Sequence, residues 1–413
     1  KPQTESDCEI IIDLYQLYPI DYILNIIDGV FAFIIYDTRK DLIIVARDPF
    51  GVRPLFYDIS YSCFSSELKQ IHNLTKNEIN QFLPGHYYNS KNKDGYPTLI
   101  KYSSLSQLYL PYIQQFKNFG DEYSFFKSLV RDTLINSVQK RLLSDRPIAC
   151  LLSGGLDSSL ITSIVVKLLK NVSDKPLETY SIGLPGSTDL LYAKKVSEYL
   201  NTNHTEIIMS EDDFFNAIPH VIETIESYDT TTVRASVGNY LVAKYISEHS
   251  DAKVIFNGDG SDELTGGYLY LNRAPSILLF DFEVKNLLQN IHYFDVLRSD
   301  RSISSCGLEP RTPFLDKTFV NLYLSIPLHI RKNNSTEIEK KLLRDSFSDY
   351  LPQEILYRKK EAFSDGVSGN NRSWFQIIAE KLDDINIPIF EFNNNHLFPR
   401  TKEQMYYRYI FEK

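Results

Sequence analysis

Ser153-Gly154-Gly155-Leu156-Asp157-Ser158-Ser159 gathers two glycines, one carboxylate and three hydroxyls into seven consecutive residues. Glycines let the backbone turn so that successive N–H groups point at one spot, and the serine hydroxyls add donors. A helix beginning there contributes its partial positive charge, so the chemistry expected is the binding of a polyphosphate. The loop carries no Lys, which separates it from a Walker A cradle. A second cluster, Asn257-Gly258-Asp259-Gly260-Ser261-Asp262-Glu263, is followed by Gly266-Gly267-Tyr268. Three carboxylates on a glycine-rich turn repel one another unless a cation or basic ligand lies nearby; a solvated acidic loop capping the next helix is the blander reading.

Two further segments carry cations. Tyr228-Asp229-Thr230-Thr231-Thr232-Val233-Arg234-Ala235-Ser236 offers hydroxyls beside a guanidinium. The planar fork of Arg234 pairs with carboxylate or phosphate through two parallel hydrogen bonds, whereas a cap ahead of a helix after Val233 explains one Thr and not the Arg. In Arg358-Lys359-Lys360-Glu361-Ala362-Phe363-Ser364-Asp365-Gly366 the basic run, taken alone, reads as solvated surface.

The elements that must position these groups alternate. Apolar segments Ile148–Leu152, Thr179–Leu184, Thr205–Met209 and Lys253–Asn257 predict short buried strands, with helices between them. Leu191, Val196 and Leu200 are placed on one face of a helix from Asp189, and Val237, Leu241, Ala243 and Ile246 on one face of another. Such alternation predicts a parallel sheet flanked by helices, with ligands beyond the strands' carboxyl ends, after residues 152, 184 and 257. Helices are also predicted over 338–347 and 404–411. The first hundred or so residues read differently: a helix over Glu9–Tyr18, then a hairpin from Val30–Tyr36 and Leu42–Arg47. A boundary near residue 110 divides an α+β region, 1–110, from an α/β region, 111–413.

Composition narrows the function. The 413 residues are 43% hydrophobic and 23% charged, the balance of a folded globular protein of two domains. A net charge of -9 argues against nucleic acid as partner and for a small molecule. Cys8, Cys63, Cys150 and Cys306 show neither zinc-site nor disulfide spacing, and no apolar run reaches the ~18 residues of a membrane span, so a cytoplasmic home is expected.

The Ser153–Ser159 heptad is similar to the signature of the PP-loop ATP pyrophosphatases, and the whole set of motifs resembles the asparagine synthetases. The resemblance implies an adenine nucleotide alpha hydrolase-like domain that uses ATP and Mg2+ to adenylate the side-chain carboxylate of aspartate, releasing pyrophosphate, before ammonia attacks the β-aspartyl-AMP. It further implies that Ser153, Gly154, Gly155, Leu156, Asp157, Ser158 and Ser159 hold the phosphates and that Asp157 and Asp262 bind magnesium. Ile182, Gly183, Asn257 and Gly258 lie along the nucleotide, Thr231, Thr232, Arg234 and Asp262 face the substrate, and Lys360 neutralises the departing pyrophosphate. Asp259 stands where many members have the Glu proposed as general base, one methylene shorter. Cys306–Lys317 extends the match as scaffold, with Glu309 and Arg311 near the site.

Arg47-Asp48-Pro49-Phe50-Gly51-Val52-Arg53-Pro54-Leu55, Ser66–Lys69 and Pro84–Tyr87 resemble the later part of a class II glutaminase (Ntn-hydrolase-like) domain, and Ser6-Asp7-Cys8-Glu9 matches a segment whose Asp, here Asp7, binds glutamine. That family's nucleophile is an N-terminal Cys. Residue 1 here is Lys and Cys8 lacks a free amine, so either an upstream segment is missing, which unpaired sheet edges favour, or free ammonia is the donor. The resemblance thus implies a carbon–nitrogen ligase, a homodimer, taking aspartate and glutamine or ammonia. A β-lactam synthetase-like ligase and a catalytically silent ATP-binding homologue are the alternatives.

Overall fold

The computed structural model describes residues 4, 6–91, 95–105, 118–170, 172, 175–332, 338–361, 366–369, 372–388, 391–392 and 396–413. They belong to two compact units, Lys1–Ser106 and Gln107–Lys413, while the expected boundary at residue 110 lies outside the described residues.

In the first unit α1 (Glu9–Leu17) and α2 (Ile20–Ile26) precede β1 (Ala32–Asp37), β2 (Leu42–Arg47), β3 (Phe56–Asp58), β4 (Phe64–Ser65), α3 (Leu68–His72), β5 (Ile79–Gln81), β6 (His86–Asn89) and β7 (Thr98–Lys101). Two antiparallel sheets result, ordered β1-β2-β6-β7 and β4-β3-β5. Side chains of a strand point alternately to its two faces. Ile44 and Ala46 therefore pack with Ile20, Leu24 and Tyr87, while Val45 packs with Leu55, Phe82 and Tyr88, which is why β2 is apolar from Leu42 to Ala46. The charged pair that opens the Arg47-to-Arg53 motif is spent on backbone groups of the motif and of Phe82. The Arg47 guanidinium donates to the carbonyls of Arg53, Phe82 and Gly51, and the Asp48 carboxylate accepts from the N–H groups of Phe50, Val52 and Arg53.

The second unit begins with α4 (Phe119–Lys140), β8 (Ile148–Leu151), α5 (Leu156–Leu169), β9 (Glu178–Gly183), α6 (Thr188–Leu200), β10 (Asn203–Ile208), α7 (Glu211–Ile225), α8 (Thr230–His249), β11 (Val254–Phe256) and α9 (Ser261–Thr265). Then come α10 (Ile277–Asn290), α11 (Asp295–Ser304), β12 (Glu309–Arg311), α12 (Lys317–Ser325), α13 (Leu328–Arg331), α14 (Lys341–Ser346), α15 (Gln353–Leu356), α16 (Trp374–Asp383) and α17 (Lys402–Glu412). Among the described residues the strands form one five-stranded parallel sheet, β10-β9-β8-β11-β12, flanked by helices as the alternation predicts. α7, α8, α16 and α17 share a single apolar core with β8 to β11.

Three local expectations change, and one strand is new. Leu191 is 57% exposed, and Leu190 is the buried residue, because Leu190, Ala193, Val196 and Ser197 recur at helical spacing on the inner face. α8 begins at Thr230, not after Val233, because Asp229 caps it. β12 escapes periodicity because it is three residues long with Pro310 at its centre, a residue that an edge strand tolerates. The predicted helix 338–347 shrinks to Lys341–Ser346 because Lys340 takes a left-handed backbone, φ +58°. The four cysteines are free, and no helix among the described residues is long and apolar enough to cross a membrane.

His204 of β10 ties that strand to β9. Its Nδ1 lies 2.9 Å from Thr179 Oγ1 and its Nε2 3.0 Å from Ser181 Oγ, both on β9. Burial pushes the imidazole down to about 4 against a contrary hydrogen bond to Thr179. The unfolded chain, near 6.5, takes up its proton first, so the stability this group contributes is present above that pH and lost as pH falls toward 4. Between about pH 7 and pH 5 the wild type should lose roughly 1–2 kcal/mol more than His204→Gln, after allowance for partial exposure. Denaturant titrations at both pH values test this, and parallel losses in the two proteins would refute it.

Candidate active site

The phosphate loop stands at the carboxyl end of β8, in the centre of the sheet, where the strand stops and α5 begins. Gly154 has φ +72°, and a Cβ there would lie 2.4 Å from the backbone nitrogen of Ala193, so only glycine lets the loop rest on α6. Ser153 Oγ and Ser158 Oγ sit 3.0 Å apart, and Gly155 N–H donates to Ser153 Oγ at 3.4 Å. Ser159 is fully buried, as Leu156 nearly is.

β11 ends beside it. Gly258 approaches so closely that a Cβ would lie 2.8 Å from Asp157 Cβ and Ser158 N, which brings the acidic turn onto the first turn of α5. Asp157 accepts from Ser261 Oγ at 2.8 Å and from Lys340 Nζ at 2.6 Å. The same ammonium lies 2.5 Å from Asp262 Oδ1, and Lys360 Nζ donates to Asp262 Oδ2. Asp157 and Asp262 thus converge on one cationic atom, with a second cation beyond. Burial works against ionisation of Asp262, yet Lys340 and Lys360 outweigh it and hold the carboxyl well below the usual range. Burial likewise opposes the charge of Lys340, and Asp157 with Asp262 more than restores it.

Gly267 makes this possible. A Cβ there would stand 2.0 Å from Lys340 Cε and 2.1 Å from Asp262 Oδ1, so any side chain would drive the ammonium out. Lys360 also lies 5.4 Å from the centre of the Tyr268 ring, whose hydroxyl donates to Glu263 at 2.5 Å. Glu263 is pushed well up by burial, with Asp295 and Asp262 adding to it.

Asp259 is held from α11. Arg298 Nη2 donates to Asp259 Oδ1 at 3.0 Å and also pairs with Asp295, whose other oxygen accepts from Gly260 N–H at 2.8 Å. Burial raises the Asp259 carboxyl, Arg298 opposes and Asp295 adds. Asn257 is buried and shapes the turn, donating to Ser299 and accepting from Asp259 N–H at 3.3 Å.

Ile182 and Gly183 end β9, the neighbour of β8. The turn that follows leads into α6, where buried Asp189 is pushed up to about 6 by desolvation despite Arg358. Arg358 Nη2 donates to Asp189 at 3.0 Å, and its guanidinium covers the ring of Tyr192 at 4.1 Å. Leu184 N–H donates to Val367 O at 2.8 Å and Ser187 Oγ to Gly366 O at 2.6 Å, so the segment carrying Lys360 is fastened to α6 on both sides of residues 362–365, which lie outside the described residues.

The recognition segment is placed otherwise. Thr232 is buried and gives both its N–H (2.8 Å) and its hydroxyl (2.7 Å) to Asp229, while Thr231 is exposed. Arg234 forms a two-pronged pair with Glu403 of α17, Nε at 2.7 Å. Arg311 donates to the carbonyls of Arg141 and Leu143 and to Glu309. Asp7 is exposed in the first unit, beside Cys8, whose thiol is pushed up by burial and by Asp7.

Lys340, Arg298 and Asp295 were not singled out from the sequence. Lys340 stands in a Lys-Lys pair that reads as surface, and no spacing marks it as buried.

The donor set suits magnesium, which takes one or two carboxylates and fills its remaining positions with water and substrate phosphates. Among the described residues no group of three or more His, Cys, Asp or Glu side chains is arranged to hold a metal.

Residues 129–285 and 280–406 match a family model described as asparagine synthase, and residues 1–108 one described as a glutamine amidotransferase domain. The chain is 43% identical over 441 aligned positions to the glutamine-hydrolysing asparagine synthetase of Gallus gallus, covering 100% of this chain and 77% of that protein. The same enzyme of Mesocricetus auratus is 43% identical, over 99% of this chain and 77% of its own length. That of Homo sapiens is 42% identical, over 100% and 77%.

Proposed function

The chain belongs to the asparagine synthase family, and from that premise we infer how its second unit performs ATP-dependent asparagine synthesis, with glutamine as amido donor. The observation that carries the reading is the convergence of Asp157 and Asp262 on Lys340, flanked by Lys360, at the mouth of a lysine-free phosphate loop.

In this reading the polyphosphate of ATP rests on the N–H groups and hydroxyls of residues 153–159, with Ile182, Gly183 and Gly258 along the nucleotide. Asp157 and Asp262 would hold magnesium, which when bound neutralises phosphate charge. Aspartate lies with its β-carboxylate facing the α-phosphorus, so that attack forms β-aspartyl-AMP and expels pyrophosphate. Lys340 and Lys360 face the oxygens on which charge then accumulates, and their salt bridges pre-orient them so that little reorganisation is needed. Ammonia attacks the activated acyl carbon, Asp259, turned by Arg298, takes up the proton released there, and the bond from that carbon to the phosphate oxygen breaks to release AMP and asparagine. Exposed Thr231 recognises aspartate on a segment that the Thr232–Asp229 and Arg234–Glu403 pairs hold in shape, and Asp7 recognises glutamine. The same reading includes magnesium as the working ion, a homodimer in the cytoplasm, and no nucleic acid as partner, for which the net charge of -9 speaks.

Purified protein given ATP, magnesium, aspartate and ammonium should release pyrophosphate and asparagine in equal amounts. Pyrophosphate release indifferent to ammonium, or ATP binding with no turnover, would sink the proposal.

A further inference from the structure

Arg344 lies on α14 with 1% of its surface exposed. Its Nε donates to the carbonyl of Glu339 at 2.8 Å, its Nη2 pairs with the Glu339 carboxylate, and its Nη1 donates to the carbonyl of Leu356. Glu339, also buried, is the residue immediately before Lys340. Leu356, with no exposed surface, ends α15 and stands four residues before Lys360. One guanidinium therefore grips the two backbone segments that present the two lysines to opposite oxygens of Asp262.

We infer that Arg344 is a positioning residue that sets Lys340 and Lys360 together, an inference that rests on reading those lysines as the charges that stabilise pyrophosphate. Lys340 holds a left-handed backbone, φ +58° and ψ +29°, which a side-chain-bearing residue keeps only where its surroundings over-determine it. The bonds from Arg344 to both the carbonyl and the side chain of Glu339 supply that determination from one side, and the helical bond from Arg344 N–H to Lys340 O, 3.0 Å, from the other. A point-charge ammonium cannot reach three oxygens in two segments as a rigid fork does, so Lys is no substitute at this position. Neither lysine loses its own carboxylate partner if Arg344 is changed. What changes is where the ammonium groups rest, and displacement by about 1 Å is enough to cost about 100-fold in rate.

The experiment uses the full chain with ATP, magnesium, aspartate and ammonium, following pyrophosphate. Arg344→Lys should lower kcat by about 100-fold while KM for aspartate moves by less than about 3-fold. In a Lys340→Met background the same change should cost about 10-fold or less, because half of what it positions is already gone. A full 100-fold loss in that background would show Arg344 acting independently of the lysines and overturn the inference, as would an unaltered kcat. If Arg344→Lys shows no cooperative thermal transition, Glu339→Gln, which keeps an acceptor oxygen and drops the ion pair, is expected to give about 10-fold with the same non-additivity, and an additive loss counts against the inference equally. A Lys340→Met protein as active as wild type would instead remove the underlying reading of the site, whatever Arg344 does.

Discussion

Lys360→Met should lower the rate of pyrophosphate release by about 10²–10³-fold and leave KM for aspartate nearly unchanged, because the charge is needed where negative charge develops and not where aspartate binds. Lys360 donates to Asp262 Oδ2 and lies against the ring of Tyr268, so its ammonium is already fixed before a nucleotide arrives. Its side chain is 18% exposed, and Lys340 still neutralises Asp262, so the thermal transition should shift little. That separation of rate from stability is the discriminating result. Lys360→Arg should recover part of the rate, since charge returns with a different shape. Steady-state kinetics beside thermal unfolding suffice, and an unchanged kcat in Lys360→Met would remove Lys360 from the chemistry.

Asp262→Asn should damage both properties. Lys340 and Lys360 share the Asp262 carboxylate, and Lys340 is almost wholly buried. Breaking a buried pair from one side costs about 3–5 kcal/mol, toward the lower end here because Asp157 remains as a partner for Lys340. The folded-state pKa of Asp262 lies below its unfolded value of 3.8, so its contribution is in full at neutral pH and disappears as pH falls through the depressed value. The variant should therefore differ from wild type most above about pH 5 and converge with it in strong acid. Catalysis should fall by about 10³-fold, since the substitution displaces both lysines and removes a phosphate-facing carboxylate. A protein with wild-type unfolding free energy at neutral pH would show that the Asp262 cluster contributes nothing to the fold, contrary to its geometry.

How much of this was legible in sequence varied by residue. The strands ending at residues 151, 183 and 256 were readable because short apolar runs between amphipathic helices have few other uses. The heptad at 153–159 announced an anion site because glycine, hydroxyl and helix start are local features. Leu191 was misplaced because one residue of phase on a helix is a turn of about 100°. Thr232 was read as a ligand group, and the structure employs it at the cap of α8. A hydroxyl near a helix start serves either purpose, and sequence spacing does not separate the two.

The sequence by itself determined the parallel sheet, the phosphate loop and the acidic turn, since each follows from side chains adjacent along the chain. Only the tertiary structure decided which charges meet. Lys340 finds Asp157 across 183 residues and Lys360 finds Asp262 across 98. Periodicity reports burial of a face, but it carries no information on which distant carboxylate a given lysine will reach. That choice is made by backbone close packing: Gly258 against α5 brings the two acids together, and Gly267 leaves the space through which Lys340 enters between them.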